Sequence, residues 1–215
     1  MKLFILGASG GCGAHAVRLA QQRGHVVSAV VRPSSSYAAP AGVTLVKGDP
    51  FEDAVLDQMR GHDAVISCLG VRRANPRNPF SPIVGPRDFN AAVAKKIVAA
   101  MKRTGVTKVV AISAAGVGDS ARGLNLVMRF FLRFSDIGVA YQDLAVAEDV
   151  FRASGLVWAM PRPTTMTTKP YSGKTKIIAD FPMSASIARV DVAGWMLDCV
   201  EKNLFDPPTP IITDA

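Results

Sequence analysis

The sequence is poor in cysteine and aromatic residues and has no long apolar run. Its three cysteines, Cys12, Cys68 and Cys199, are scattered along 215 residues. We therefore expect neither a disulfide framework nor a metal site, and a reducing cytoplasmic location fits this usage. No stretch of about twenty apolar residues occurs, so no membrane span is expected. A single lysine precedes the first apolar strand pattern, and this start is unlike a secretory signal.

The composition is typical of one globular domain, with 49% hydrophobic and 20% charged residues. The net charge of +8 raises the question of a nucleic-acid partner. The basic residues, however, are spread over helix-like segments, without aromatic interleaving or a basic tail. We expect them to form solvated helix faces and expect no nucleic-acid partner. Positive potential also suits dinucleotide phosphates and an anionic substrate.

The most informative segment is the run 3–15, where an apolar strand pattern enters glycines spaced G-x-x-G-x-x-G. Gly7 would permit a sharp turn, Gly10 would let the backbone approach a pyrophosphate, and Gly13 would allow close packing of helix and strand. The N-terminus of the following helix would receive the phosphates. This context predicts a dinucleotide-binding turn. The alternative is a glycine-rich turn that holds nothing.

The end of the second strand pattern indicates which dinucleotide binds. In such a fold an acidic residue there accepts hydrogen bonds from the ribose of NAD, whereas a basic one accommodates the 2′-phosphate of NADP. This chain has Arg32, followed by three serines. A guanidinium suits phosphate because its planar fork binds two oxygens. We therefore predict NADP(H) in preference to NAD(H), against the alternative of a solvated arginine.

Alternating strand and helix patterns predict a doubly wound parallel α/β sheet in a single domain over residues 1–215. Strands are expected near 2–6, 26–32, 43–47, 63–69, 107–113 and 156–161. Helices are expected near 11–23, 51–60, 88–104, 124–134, 138–154 and 189–202. The long segments 71–87 and 164–186 follow strand ends, where ligands bind in such sheets, and we expect them to form substrate walls. The alternative for each is a surface insertion.

A set of short motifs recurs in one order along nearly the whole chain. They are Gly7-Ala8-Ser9-Gly10, Val30-Val31-Arg32-Pro33-Ser34-Ser35, Gly48-Asp49, Leu69-Gly70-Val71-Arg72, Met101-Lys102-Arg103-Thr104-Gly105-Val106, Ala111-Ile112-Ser113-Ala114, Ser154-Gly155-Leu156 and Arg162-Pro163. In these motifs the chain resembles the atypical short-chain dehydrogenase/reductases. The group it is most similar to is the NAD(P)H-binding, NmrA-like one that includes the biliverdin and flavin reductases. The resemblance implies a Rossmann-type domain.

The resemblance also implies a cofactor site, residue by residue. It comprises Gly7, Ser9, Gly10, Gly11, Cys12 and Gly13 at the pyrophosphate, Arg32 and Ser35 at the 2′-phosphate, Asp49 at the adenine, Leu69, Gly70 and Arg72 at the ribose and phosphates, and Ser113 and Pro163 at the nicotinamide. The reductases carry a further basic residue where this chain has Ser36, which implies a softer NADP preference.

The catalytic pattern departs from ordinary short-chain dehydrogenases, which pair a tyrosine with a lysine four residues later. Here Tyr141 is followed at that spacing by Ala145, so the usual proton donor is missing. Ser113 is the catalytic candidate that remains. Glu148 corresponds to a histidine of the flavin reductases and could donate a proton only if burial raised its pKa. The alternative for Glu148 is a solvated helix carboxylate.

Two functions remain open at this point. The first is an NADPH-dependent oxidoreductase that transfers hydride to a flavin-, quinone- or tetrapyrrole-like acceptor, a reaction that needs mainly alignment. Arg72, Arg73 and Arg77 would fit a planar or anionic small molecule. The second is a non-enzymatic NADP(H)-binding sensor, which the missing tyrosine–lysine pair favours. A nucleotide-sugar epimerase or dehydratase would need that pair and a larger C-terminal substrate domain.

Overall fold

A six-stranded parallel sheet forms the centre of the computed structural model, which describes residues 1–75, 78, 80–182 and 184–214. Its strands are β1 (Lys2–Leu6), β2 (Val26–Val31), β3 (Thr44–Lys47), β4 (Ala64–Ser67), β5 (Lys108–Ala111) and β6 (Val157–Ala159). Their spatial order is β3–β2–β1–β4–β5–β6. The predicted doubly wound α/β sheet is therefore confirmed. The chain reverses its direction across the sheet between β1 and β4, where such folds bind ligands.

Helices cover both faces of the sheet. They are α1 (Gly13–Gln22), α2 (Asp53–Leu56), α3 (Phe89–Thr104), α4 (Leu126–Phe134), α5 (Asp136–Arg152) and α6 (Arg189–Lys202). Strand β1 shows why both faces are needed, since its side chains alternate between two fully buried cores. Leu3 and Ile5 belong to the core formed with α1 and α6. Phe4 and Leu6 belong to the core formed with α2, α3 and α5.

The predicted elements match the observed ones except at their ends. The helix expected near 51–60 is only one turn of α2, followed by a 3₁₀ turn at Asp57–Met59. The strand expected over 63–69 ends at Ser67, because Cys68 and Leu69 turn away to line a cavity. Helix α3 ends where predicted, at Gly105, whose φ of 80° is the left-handed conformation that glycine adopts at low cost.

The two long segments contain strands that sequence patterns did not indicate. Arg72–Arg73 pairs with Ile83–Val84 as an antiparallel hairpin. Thr165–Thr167 runs parallel to Ser186–Ala188. Thr175–Ile178 pairs with Ile211–Asp214, a C-terminal strand that also pairs with Arg162–Pro163. Both segments thus fold against the carboxyl edge of the sheet.

Two kinds of feature are absent from the described residues. None of the helices has the length and apolar character needed to cross a membrane. No group of three or more histidine, cysteine, aspartate or glutamate side chains in that part of the chain could hold a metal ion.

Candidate functional site

The glycine turn between β1 and α1 contains two glycines that the fold requires and one whose open side is free. Gly7 has a φ of 74°, and a Cβ there would lie 3.0 Å from the backbone of Cys68. A Cβ on Gly13 would lie 2.1 Å from the carbonyl oxygen of Gly7, so only glycine fits. A Cβ on Gly10 would meet only that same oxygen, at 3.2 Å. Gly10 therefore presents its open side to the space above the helix start.

That space is a cavity of about 530 Å³ at the carboxyl ends of β1, β2 and β4. Its lining residues are Leu6, Gly7, Ser9, Gly10, Val30, Val31, Arg32, Gly48, Pro50, Cys68, Leu69, Gly70, Val71, Arg72, Val84, Gly85, Pro86 and Phe89. Arg32 and Arg72 are the charged members of this set, and no carboxylate stands among the described lining residues. The cavity is thus suited to an anionic ligand that crosses the end of the sheet.

Arg32 lies at the end of β2 with its side chain exposed. In the described part of the chain, its guanidinium makes no hydrogen bond or ion pair. The loop behind it is ordered by backbone contacts, since the Ser35 N–H donates to the Arg32 carbonyl at 2.9 Å. The Ser35 hydroxyl accepts from the Tyr37 N–H at 3.2 Å. The guanidinium is therefore held at the cavity edge with its donors available.

The structure brings together half of the sequence-predicted cofactor residues in this cavity: Gly7, Ser9, Gly10, Arg32, Leu69, Gly70 and Arg72. Gly11, Cys12 and Gly13 belong to the turn and the helix start beneath it. Ser35 and Asp49 flank it, and the Asp49 carboxylate accepts from the Phe51 N–H at 2.9 Å. Ser113 and Pro163 follow β5 and β6, further along the same edge. Arg77 lies outside the described residues.

Segment 71–87 was expected to form a substrate wall, but its hairpin was missed at the level of sequence. Val84, Gly85 and Pro86 line the cavity, yet their segment was expected to be an irregular loop. The hairpin is anchored to the first residue of α5, because the Asp136 carboxylate accepts from the Ile83 N–H at 2.9 Å and from Arg87 at 3.0 Å. No sequence pattern pointed to this pairing, since the partners are about fifty residues apart.

Arg189 is a second residue that sequence reasoning missed. It is the first residue of α6 and packs against the glycine turn, since a Cβ on Gly11 would lie 2.9 Å from its Cδ atom. Its charge also lowers the pKa of His15, although burial is the larger cause. Its side chain makes no ion pair or hydrogen bond to any described residue. An unpaired guanidinium therefore lies beside the turn.

The cysteines near the turn are poor nucleophiles. Burial raises the pKa of Cys12 to about 11, and its thiol contacts the sulfur of Met166 at 3.7 Å. Burial also raises the pKa of Cys68. Both thiols therefore stay protonated at neutral pH, and thiolate chemistry is disfavoured. This agrees with the interpretation of both as small apolar residues at tight turns.

Ser113 is tied into a buried ion pair. Its hydroxyl donates to Glu148 Oε1 at 2.7 Å. Arg162 donates to both Glu148 oxygens, at 2.9 Å from Nε and 2.6 Å from Nη2. The side chains of Glu148 and Arg162 are 2% and 3% exposed. Of the two alternatives for Glu148, the solvated helix carboxylate is therefore wrong, because α5 directs the side chain inward to Arg162.

Glu148 is an acceptor of hydrogen bonds in its ion pair with Arg162. Its oxygens accept three hydrogen bonds, one from the Ser113 hydroxyl and two from the Arg162 guanidinium. Burial alone would lower the pKa of Arg162, but the hydrogen bonds to Glu148 and Asp119 outweigh it and raise that pKa. The hydrogen bond from Arg162 also lowers the pKa of Asp119. Glu148 thus positions the Ser113 hydroxyl and leaves its lone pairs to accept.

A smaller cavity of about 220 Å³ lies beyond Ser113. Its lining comprises Ala114, Ala115, Leu124, Met128, Tyr141, Pro163, Thr164, Thr165, Met166, Phe181, Pro182 and Ala185. None of these side chains is charged, and most are apolar. Residues of segment 164–186 thus line part of this cavity, and their role as a substrate wall stays a prediction. This uncharged, mostly apolar lining suits an uncharged ring.

Tyr141 contributes the phenol of this second cavity. Burial raises its pKa above the ordinary value, so the phenol stays protonated at neutral pH. Its hydroxyl makes no hydrogen bond to the described residues. The charge of Arg73 lowers that pKa, but burial is the larger effect, and Ala145, one helical turn further along α5, adds no second charge. The phenol is therefore a hydrogen-bond donor rather than an activated acid.

The wall of segment 164–186 is held by one buried carboxylate. Asp191 in α6 is 1% exposed and accepts from the Gly173 N–H at 2.8 Å. It also accepts from the Ser172 N–H at 3.0 Å and from the Ser172 hydroxyl at 3.1 Å. These bonds anchor the segment to the first turn of α6, next to the glycine turn.

The chain matches one known protein family over most of its length. A family model described as NAD(P)H-binding matches residues 7–203. The chain belongs to this NAD(P)H-binding family. The match spans both cavities and the whole central sheet after β1, so the glycine turn lies in the family context in which dinucleotides are bound.

Individual relatives agree with the fold. ChuY, an anaerobillin reductase from Escherichia coli O157:H7, has a TM-score of 0.77 at 20% identity, covering 100% of this chain and 97% of that one. A short-chain dehydrogenase/reductase (wide type) from Veillonella parvula in complex with NADP has a TM-score of 0.75 at 16% identity, covering 99% and 94%. The isoflavone reductase homolog IRL of Zea mays is 40% identical over 80 residues, 32% of this chain, which spans only 26% of that relative.

Proposed function

We propose that the protein is an NADPH-dependent reductase that transfers hydride to a flat, conjugated acceptor such as a quinone, flavin or tetrapyrrole. The observation that supports it most is the pairing of two cavities along one sheet edge. The larger, with the open glycine turn and two arginines, suits the phosphates of a dinucleotide. The smaller, uncharged cavity lies beyond Ser113, at the end where the nicotinamide would lie.

The residues present fit a bound NADP(H). Gly10 and the start of α1 would receive the pyrophosphate, and Arg189 would add a positive charge there. Arg32 would meet the 2′-phosphate. The Ser113 hydroxyl, whose proton is committed to Glu148, would accept from the carboxamide or the acceptor. When bound, the reduced nicotinamide supplies two electrons and one proton as hydride.

The acceptor takes up that hydride, and a second proton comes from solvent, because neither Glu148 nor Tyr141 is arranged as an acid. The chain's contribution is alignment in an uncharged cavity. Such alignment suffices for conjugated acceptors, because their π systems delocalise the electrons that the hydride brings. The missing tyrosine–lysine pair therefore does not exclude a reductase.

Steady-state oxidation of NADPH in the presence of a quinone, a flavin and a tetrapyrrole tests this function. We expect oxidation that saturates with at least one of the three. The alternative is the NADP(H)-binding sensor, which the missing acid also allows. Tight NADPH binding together with no turnover of any acceptor would replace the reductase with the sensor.

Arg32→Ala should shift cofactor choice. The substitution removes a charge-assisted contact to the 2′-phosphate, which is worth roughly 1.5–3 kcal/mol, so NADPH affinity should fall by about ten- to a hundredfold. NADH lacks that phosphate, and its affinity should change little. Fluorescence titration of both dinucleotides measures this. Equal affinities for NADPH and NADH in the unsubstituted protein would contradict the NADP preference.

Ser113→Ala and Tyr141→Phe should separate alignment from acid catalysis. Ser113→Ala should lower kcat modestly, since an acceptor for the nicotinamide or the substrate is lost. Tyr141→Phe should change kcat little, because the phenol has no lysine to activate it. A side-chain acid contributes about a hundredfold to ten-thousandfold. A fall of that size with Tyr141→Phe, measured as kcat against pH, would show that Tyr141 is the acid.

A further inference from the structure

A third cavity, of about 490 Å³, lies between the 3₁₀ turn Gly118–Gly123, α4 and α5. Its floor is apolar and includes Val117, Leu124 and Leu132. Three arginines stand around it: Arg122, Arg129 and Arg133. We call it the arginine cavity. An apolar floor with guanidinium groups at its edge suits a ligand with an apolar body and an anionic end.

The positive charge of the arginine cavity is not neutralised by neighbouring acids. No acidic residue occurs between Asp119 and Asp136. Asp119 is bound by Arg162 at 2.5 Å, and Asp136 is bound by Arg87 at 3.0 Å. In the described part of the chain, Arg122 makes no side-chain hydrogen bond or ion pair. The described residues therefore supply no anionic partner to Arg122.

The other two arginines are held in ways that leave charge available. Arg129 donates from Nε to the Leu124 carbonyl oxygen at 3.1 Å, which fixes the stem of the side chain. Arg133 lies over the ring of Phe134, 5.9 Å from its centre. A carbonyl and an aromatic ring do not cancel a formal charge. All three arginines are exposed, so they can meet an incoming anion.

The arginine cavity adjoins the uncharged cavity beyond Ser113. Leu124 and Tyr141 line both. Gly116 allows their side chains to approach, because a Cβ there would lie 2.9 Å from Leu124 Cδ2 and 3.1 Å from Tyr141 Cε1. Leu124 and Tyr141 thus form a wall that the two cavities share.

We infer that the arginine cavity binds the anionic end of the electron acceptor, whose ring lies in the adjoining uncharged cavity. This rests on the proposed reductase function for the identity of the molecule, but not for the existence of the site. The carboxylate or sulfonate would pair with Arg122 and Arg133, since planar guanidinium groups bind two oxygens at once. Among the described residues of segment 71–87, Arg72 lines the dinucleotide cavity and Arg73 donates to the Asn78 carbonyl at 2.9 Å.

A matched pair of fluorescent probes tests the site without turnover. Anilinonaphthalene sulfonate carries an anionic group on an apolar body, and N-phenylnaphthylamine is the same skeleton without the sulfonate. The double substitution Arg122→Gln/Arg133→Gln should weaken the sulfonate about tenfold, or about 1.4 kcal/mol. It should leave the uncharged probe unchanged. The double substitution Lys95→Gln/Lys102→Gln, on exposed positions of α3, removes equal charge elsewhere and should change neither.

Two further variants locate the probes. Ala145→Leu adds a side chain to the lining of the arginine cavity and should weaken both probes. Phe130→Ser changes the outer face of α4, where Phe130 is 58% exposed, and should leave both unchanged. The site would be overturned if Phe130→Ser weakened the probes and Ala145→Leu did not. Equal sulfonate affinity in the arginine variant and the unsubstituted protein would also overturn it. Added salt should also weaken only the sulfonate, because exposed charges are screened.

Kinetics then assign the site to the acceptor. With a naphthoquinone and its sulfonated derivative, the arginine variant should raise KM about tenfold for the sulfonated acceptor alone, with kcat unchanged. Sulfonate binding that depends on the arginines but does not compete with the acceptor would overturn this assignment. Failure of all acceptors to turn over would remove the reductase proposal and the acceptor assignment. The probe titrations would still decide whether the anion site exists.

Discussion

Gly10→Val is expected to abolish NADPH binding while the domain remains folded. The valine Cβ would meet only the Gly7 carbonyl oxygen, at 3.2 Å, a contact relieved by a shift of a few tenths of an ångström. The two methyl groups would then project from the exposed turn into the cavity above α1. A pyrophosphate needs that space to reach the N–H groups at the helix start. Fluorescence titration with NADPH measures the loss, and circular dichroism reports the fold.

Gly13→Ala is the informative comparison for that experiment. Its Cβ would lie 2.1 Å from the Gly7 carbonyl oxygen and 2.8 Å from its carbon. The turn cannot yield to this contact without moving β1 away from α1, so the variant should lose stability as well as binding. Unaltered NADPH affinity in Gly10→Val would refute the assignment of the glycine turn to the cofactor.

Arg162→Met should lower the free energy of unfolding by about 3–5 kcal/mol, the usual cost of removing one partner of a buried ion pair. The substitution leaves Glu148, which is 2% exposed, with only the Ser113 hydroxyl as a partner. That loss is a large fraction of the stability of an ordinary domain, about 5–15 kcal/mol. Urea denaturation measures it.

Two companion variants identify the cause. Asp119→Asn removes the other carboxylate on Arg162, but that side chain is 78% exposed. Asp119→Asn should lower the free energy of unfolding by about 0–1 kcal/mol, the usual contribution of a surface ion pair. The double variant Arg162→Met/Glu148→Leu removes both buried charges and should be more stable than Arg162→Met alone. If the single and double variants were equally unstable, packing rather than the unpaired carboxylate would account for the loss.

Much of the fold was predictable because its signals are local. Strand β1 is apolar on both faces, as a sheet covered on both sides requires. Gly105 ends α3 where the pattern placed a helix stop. The turn Gly7–Gly13 lies directly between a strand and a helix, and this order gave the dinucleotide hypothesis its strength. The family match confirms that the chain is NAD(P)H-binding, and the role of this turn in binding stays a prediction.

The remainder depends on contacts between distant parts of the chain. Glu148 was weighed as a surface carboxylate because nothing near it in sequence reveals Arg162 behind it. The hairpin of Arg72–Arg73 with Ile83–Val84 is too short to show a strand pattern. Arg122 and Arg133 look like ordinary surface arginines until the fold places them around one cavity. Such juxtapositions come from packing, which local periodicity does not report.

The most direct test of the central claim is hydride transfer from NADPH bound to this protein. NADPH deuterated on one or the other face of the nicotinamide C4 is bound first, and a quinone, flavin or tetrapyrrole is then added without oxygen. Because the cavity would fix one face of the ring towards the acceptor, deuterium should pass to the acceptor from one label only, with a slower rate for that label. Bound NADPH that stays reduced with all three acceptors would contradict the reductase account.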